Sequence, residues 1–177
     1  MKTIFRIFTI ISFLIIALIA TFGYKVFFKS NTSFNEDFVY VYVNSGSSQD
    51  EMISSISSYI IDVESFMKAA KTKKYPENIK AGRFIINKGD GNNKIINSLR
   101  SKNIPLNITF NNIQTIQEFS GYISKKIEAD SISLIESFTD ENFLKSLNLS
   151  EESVLSVFLP NTYEFFWNTS AEQFNER

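Results

Sequence analysis

The 177-residue chain has no cysteine and no histidine. Without cysteine there is neither a disulfide nor a thiolate nucleophile. Without histidine there is no Ser-His-Asp or Cys-His catalysis within the chain, and no histidine-ligated metal site. An excess of one charge is missing too. The 18 Lys and Arg nearly balance the 19 Asp and Glu, for a formal net charge of −1, so no nucleic-acid footprint or partner is expected. Glycine is scarce, with 6 residues, and no glycine-rich phosphate loop of the P-loop or dinucleotide type occurs. The chemistry left is that of carboxylates, hydroxyls, Lys and Tyr, and no cofactor or metal is expected.

One long apolar run is present. Ile7 to Tyr24 is apolar except for Thr9, Ser12, Thr21 and Gly23, close to the ~20 residues that cross a bilayer core as a helix. A cleaved signal peptide is the rival reading. Leu18-Ile19-Ala20 puts a bulky Leu where a cleavage site wants a small residue, which favours a retained anchor. Lys2 and Arg6 favour an inside N-terminus, and Lys25 and Lys29 weaken that bias. The bulk of the chain then lies outside the cytoplasmic membrane. Ser30 to Asp37 is polar and reads as a short tether.

The length allows one domain, or two small ones after an anchor. Phe38 to Val43 is β-branched and aromatic throughout, which predicts a strand buried on both faces. Ser48 is a candidate cap for a helix carrying Met52, Ile53, Ile56 and Ile60. A second helix carries Val63, Phe66, Met67 and Ala70 and ends in Lys71, Lys73 and Lys74, which suit its C-terminal dipole. Gly82 to Ile86 reads as the next strand, completing a strand–helix–helix–strand unit. A short helix with Ile95, Ile96 and Leu99 follows. In the strand opened by Pro105, Leu106, Ile108 and Phe110 alternate with Asn107 and Thr109. Asn111-Asn112 marks a boundary, after which Ile116, Phe119, Ile123 and Ile127 form a helical stripe. Further helices are expected around Ile132–Phe138 and Glu141–Leu147, and a last one begins after a cap at Thr169 or Ser170.

The densest stretch is FLPNTYEFFWNTSAEQF, from Phe158 to Phe174. It holds a Pro-Asn-Thr turn, the sole Trp and, in its first half, a single carboxylate, Glu164. A carboxylate held among aromatic rings resists ionisation, which suits a general acid at neutral pH. The plain alternative is an aromatic-cored hairpin with a solvated Glu. If the chain reverses at Leu159-Pro160, positions 155 and 164 face each other about 5 Å apart. Asn161 and Thr162 are expected to hold the turn by local hydrogen bonds, with substrate contact second. Tyr163 and Trp167 line a cleft or belong to the core, with the core favoured for Trp167.

This segment resembles the signature of the YceG-like endolytic murein transglycosylases, the MltG family, which reads roughly E-G-x-x-x-P-D/N-T-Y/W. Ile79–Ile86 and Pro105–Phe110 resemble the LysM-like part of the same family. Together with the anchor, the resemblance covers the chain in the family's order. It implies an α+β protein: a transmembrane anchor over residues 1–29, a LysM-like module over 30–110, and the beginning of a mixed α/β catalytic domain over 111–177. Family members run on well past this point, so the chain reads as truncated. The implied activity is cleavage of the MurNAc–GlcNAc bond of nascent glycan strands, leaving 1,6-anhydro-MurNAc ends. Peptidoglycan glycan strands and cell-wall synthases are the implied partners, and the bacterial cytoplasmic membrane the implied location.

The chain departs from the signature at one point. Where the family has Glu-Gly, five and four residues before the Pro, this chain has Leu155 and Ser156. Glu164 is therefore the candidate catalytic carboxylate, with Glu151 and Glu152 as fallbacks, and Asn161, Thr162, Tyr163 and Trp167 are candidate substrate contacts. Two readings without catalysis stand beside this one: an anchored glycan-binding module, and a structural partner of the elongation or division machinery.

Overall fold

The computed structural model describes residues 2–111 and 113–177. The expected boundary at Asn111-Asn112 falls partly on Asn112, outside the described residues. The fold is α+β, and the chain divides into two compact units. Unit 1 comprises Met1–Val41, Ser47–Lys80 and Phe84–Lys102; unit 2 comprises Tyr42–Gly46, Ala81–Arg83 and Asn103–Arg177.

Unit 1 begins with helix α1, Lys2–Phe27. Its stretch Ile4–Phe27 has a mean hydropathy of 2.5 and is long and apolar enough to cross a membrane. Two of its hydroxyls bond within the helix: Thr9 Oγ1 donates to the Phe5 carbonyl at 2.8 Å and Thr21 Oγ1 to that of Leu18 at 2.9 Å. This is the arrangement hydrocarbon demands of a polar side chain.

The segment after α1 is not the free tether its polarity suggests. Ser30 bridges to Gly91 and Thr32 to Ile60. The Asn31 N–H donates to the Asp90 carbonyl at 2.9 Å, and that of Ser33 to Tyr59 at 3.0 Å. The side chains of Asn31, Thr32 and Ser33 also bond backbone groups of 58, 62 and 89, so polarity here signals stitching.

Strands β1, Phe38–Val43, and β2, Gly82–Asn87, pair in a two-stranded sheet. Between them run α2, Gln49–Ser57, and α3, Val63–Thr72, giving the expected strand–helix–helix–strand order. β1 is not buried on both faces. Val41 and Val43 are buried, while Phe38, Tyr40 and Tyr42 are exposed. A sheet of two strands has one covered face, so alternate residues meet water. Ser48 caps α2 in a capping box with Glu51, and Asp62 caps α3 through the Ser65 N–H at 2.8 Å. Hydrogen bonds from Ser48 hold the Glu51 carboxyl below its usual range. Helix α4, Asn92–Arg100, adds Ile95, Ile96 and Leu99 to a core with Met52, Ile56, Phe66 and Phe84. Lys73 donates to Asn93 Oδ1 at 2.7 Å, and burial and then Arg100 lower its affinity for a proton.

Unit 2 carries β3, Leu106–Phe110, and β4, Asn161–Phe165, paired antiparallel. Between them lie α5, Ile116–Ile123, α6, Ser131–Phe138, and α7, Glu141–Leu147, followed by a 3-10 turn at Val154–Val157. Helix α8, Ala171–Asn175, starts at Ser170, in a capping box with Gln173. The inward side chains Ile108, Phe110 and Phe165 pack with Phe119, Ile123, Ile127, Leu134, Phe138 and Phe174. Phe158 lies 4.6 Å from Phe119 and 4.8 Å from Phe138 between ring centroids, and Phe165 stacks on Phe174 at 4.4 Å.

Candidate active site

The site is built on β4 and its partner. The register sets Asn107 against Glu164, Ile108 against Tyr163, and Thr109 against Thr162. Successive side chains alternate between faces. Tyr163 and Phe165 therefore turn inward while Thr162 and Glu164 turn outward, joining Asn107 and Thr109 on an exposed polar face. Thr109 and Thr162 meet there with hydroxyl oxygens 2.7 Å apart. Glu164 is the single carboxylate among these four residues.

This geometry corrects two expectations. Leu155 and Glu164 are not hairpin partners: Leu155 sits in the 3-10 turn and Glu164 pairs with Asn107. The apolar alternation of Leu106, Ile108 and Phe110 matches that of Tyr163 and Phe165, so β4 pairs with β3 instead of folding back on 155–159. Glu164 is also not enclosed by aromatic rings, which lie on the opposite face of the strand.

The other candidates divide by location. Asn161 is exposed, and its Oδ1 accepts the Thr162 N–H at 2.7 Å, as a turn-holding residue should. Thr162 instead bonds across the strands. Tyr163 is half-buried, stacked on Phe110 at 5.1 Å, with its hydroxyl donating to the Leu159 carbonyl at 3.0 Å. Trp167 is half-buried with its ring 5.0 Å from that of Tyr42. Its carbonyl accepts the Glu128 N–H at 2.7 Å, and the Glu128 carboxylate takes the Ser45 N–H and hydroxyl at 2.7 Å each. Glu151 and Glu152 are exposed in the turn before Val154.

A pocket of about 260 Å³ opens beside Leu155 and Ser156, lined also by Phe110, Asn111, Ile113, Phe119, Phe158 and Pro160. None of these residues is a carboxylate. Leu155, at the position where the resembled signature has Glu, thus lines a pocket without a carboxylate. Among the described residues, no group of three or more Asp or Glu is placed to hold a metal ion.

A family model, that of the YceG-like family, matches residues 41–177. The chain belongs to the YceG-like family. Among solved structures it is similar to the crystal structure of a YceG-like protein from Listeria monocytogenes, at 18% identity and a TM-score of 0.43. That match covers 80% of this chain and 52% of the other, so this chain spans about half the length of that protein. No curated protein matches it.

Asn107 and Thr109 did not figure among the sequence candidates. Their signal was present in the alternation of β3, which marks them as outward and polar. What was missing was the partner strand, 53 residues away in the case of Thr109 and Thr162.

Proposed function

We propose that this YceG-like protein is an endolytic peptidoglycan lytic transglycosylase, held by α1 in a bacterial cytoplasmic membrane with its bulk on the extracytoplasmic side. The observation that carries this reading is the family match over 41–177 behind a helix able to cross a bilayer. The reaction cleaves the MurNAc–GlcNAc bond without water. A carboxylic acid gives its proton to the leaving glycosidic oxygen, and the resulting carboxylate takes the proton of the muramyl 6-hydroxyl. That oxygen then closes on C1, leaving a 1,6-anhydro end and the group protonated again. One carboxylate suffices, whereas most glycoside hydrolases use two.

Glu164 is our candidate for this group. It is exposed on a face whose other members, Asn107, Thr109 and Thr162, offer hydrogen bonds to sugar hydroxyls. Asn161 lies at the start of the same strand, and Trp167 offers the exposed part of an aromatic face on which a sugar ring rests, while Tyr163 supports the strand from its inner face. Nascent glycan strands are the substrate in this reading, and the synthases that make them are partners. A second reading, an anchored module that binds glycan without cutting it, draws on the Leu at position 155 and its carboxylate-free pocket.

The experiment incubates the protein, in its longest native form and freed of α1, with uncrosslinked glycan strands. Mass spectrometry then compares it with a Glu164→Gln variant. Anhydro-ended fragments from the parent alone support the proposal with Glu164 as its acid–base. Equal product from both keeps the activity and moves the proton transfer to another residue. Retained glycan binding with no cleavage by either makes the second reading the right one.

A further inference from the structure

The end of α1 is locked into unit 1 by a buried polar cluster. Val26, in the last turn of the helix, is buried, and its carbonyl accepts Asn92 Nδ2 at 2.7 Å. Asn92 Oδ1 accepts from Asn31 Nδ2 at 2.7 Å, and Asn92 Nδ2 also reaches Ser65 Oγ at 3.1 Å. Asn31 in turn holds the 60–62 turn. Its Nδ2 donates to the Asp62 carbonyl at 2.9 Å, its Oδ1 accepts the Asp62 N–H at 2.7 Å, and its carbonyl accepts the Ile61 N–H at 3.1 Å. With both asparagines buried and multiply bonded, breaking the cluster exposes or orphans several polar groups at once. α1 and the polar cluster that holds its end belong to one compact unit.

Arithmetic then bounds the height of the 60–62 turn. The 24-residue stretch Ile4–Phe27 is about 36 Å long at 1.5 Å per residue, against a hydrocarbon core of about 30 Å. Its last turn therefore reaches the headgroup layer. Asn31 follows Phe27 by at most about 14 Å of extended chain, and Ile61 is bonded to Asn31. Ile61 is 68% exposed, although it is one of the most apolar residue types and its backbone is pinned by Asn31. Phe28, the residue after the helix end, is also exposed, its ring stacked on Tyr24 at 6.2 Å. Lys25 and Lys29 are exposed on the same stretch, where long cationic side chains reach lipid phosphates. The acidic neighbours are engaged elsewhere: the Asp62 carboxylate caps α3, and Glu64 pairs with Lys68 at 2.7 Å.

We propose that the 60–62 turn is a membrane-contacting surface: Ile61, with Phe28, enters the interfacial layer of the phospholipid bilayer that α1 crosses, so that unit 1 stands on the membrane. This rests on α1 crossing the bilayer, and it is independent of catalysis.

The absence of native cysteine permits single-site labelling of the full chain in phospholipid vesicles. An environment-sensitive fluorophore is placed by Leu14→Cys, within α1, or by Ile61→Cys. We expect both labels to shift to the blue, Leu14 quenched by deep and Ile61 by shallow spin-labelled lipids. A pair of spin labels from Thr21→Cys and Ser54→Cys is expected to give one narrow distance distribution. A buried label at position 14 with a water-like, unquenched label at 61 overturns the docking and leaves the anchor standing. A water-like label at 14 overturns the anchor and the docking together. A broad Thr21–Ser54 distribution overturns the rigid coupling on which the docking depends.

Discussion

Thr109 and Thr162 face each other across β3 and β4 with hydroxyl oxygens 2.7 Å apart, beside the pair formed by Asn107 and Glu164. Fifty-three residues separate the two threonines in sequence, so their contact is a direct readout of the strand register. A double-mutant cycle with Thr109→Val and Thr162→Val should show a coupling of about 0.2–1 kcal/mol in urea unfolding. Strict additivity would mean that β4 pairs in another register.

Phe119 is 1% exposed and touches the rings of Phe110, Phe138, Phe158 and Phe174. Phe119→Ala removes the ring these four share. The expected loss is about 3–5 kcal/mol, because the neighbours belong to different elements and cannot all collapse into the space. A loss under about 1 kcal/mol would show that unit 2 is not built around this residue.

Tyr75 is fully buried, its hydroxyl has no hydrogen-bond partner among the described residues, and burial pushes its pKa up to about 12. The phenol ionises near 10 once unfolded. Its contribution to stability is therefore complete below pH 10 and is lost as pH rises from about 10 through 12, by up to about 2–3 kcal/mol. In Tyr75→Phe this part of the alkaline loss should vanish. At neutral pH the variant should be as stable as the parent or up to about 1 kcal/mol more so, since an unsatisfied hydroxyl is removed. Unfolding curves at pH 7 and pH 11 decide it. An unchanged alkaline loss in the variant would clear Tyr75 of responsibility.

Asp130 caps α6, its Oδ1 accepting the N–H groups of Ile132 and Ser133 at 2.8 Å each. Hydrogen bonds from Ser133, then from Ile132, hold its carboxyl below the usual range. A lowered folded-state value means that the contribution is present above the unfolded value near 3.8 and is lost as pH falls through the lower folded value. Asp130→Ala should therefore destabilise the protein at pH 7 and flatten its acid limb. A variant with the parent's acid limb would show that the cap does not titrate.

Gly91 sits where a Cβ would stand 2.8 Å from the backbone carbon and oxygen of Phe28. Its φ of −85° is ordinary, so Gly91→Ala tests the close approach alone. The expected cost is about 1–3 kcal/mol, with faster hydrogen exchange of the Asn31 N–H. Unchanged exchange would mean that the 30–33 strap does not depend on this contact.

Local patterns in the sequence carried most of the elements. The alternation in Leu106–Phe110, the stripe from Ile116 to Ile123 and the caps at Ser48 and Ser170 are short-range signals, and each has its counterpart in the fold, whereas Ile127, read as the next residue of the stripe, is buried but lies past the end of α5. Non-local pairings were not legible. Phe38 and Tyr40 read as core because β-branched and aromatic residues suit any strand, while the number of layers covering a sheet is written elsewhere in the chain. Ser30–Asp37 read as a tether because polarity marks solvent and backbone partnership equally. For the site, the signature led to β4, but the face on which Glu164 lies depends on the register with β3.

The Asn92–Val26 hydrogen bond joins residues 66 positions apart. At a translation rate of about 5–20 residues per second, Asn92 is made roughly 3–13 s after Val26. The last turn of α1 is therefore complete before the residue that clasps it has been synthesised. Unit 1 closes onto a helix made before it, so its folding waits on a residue 66 positions downstream.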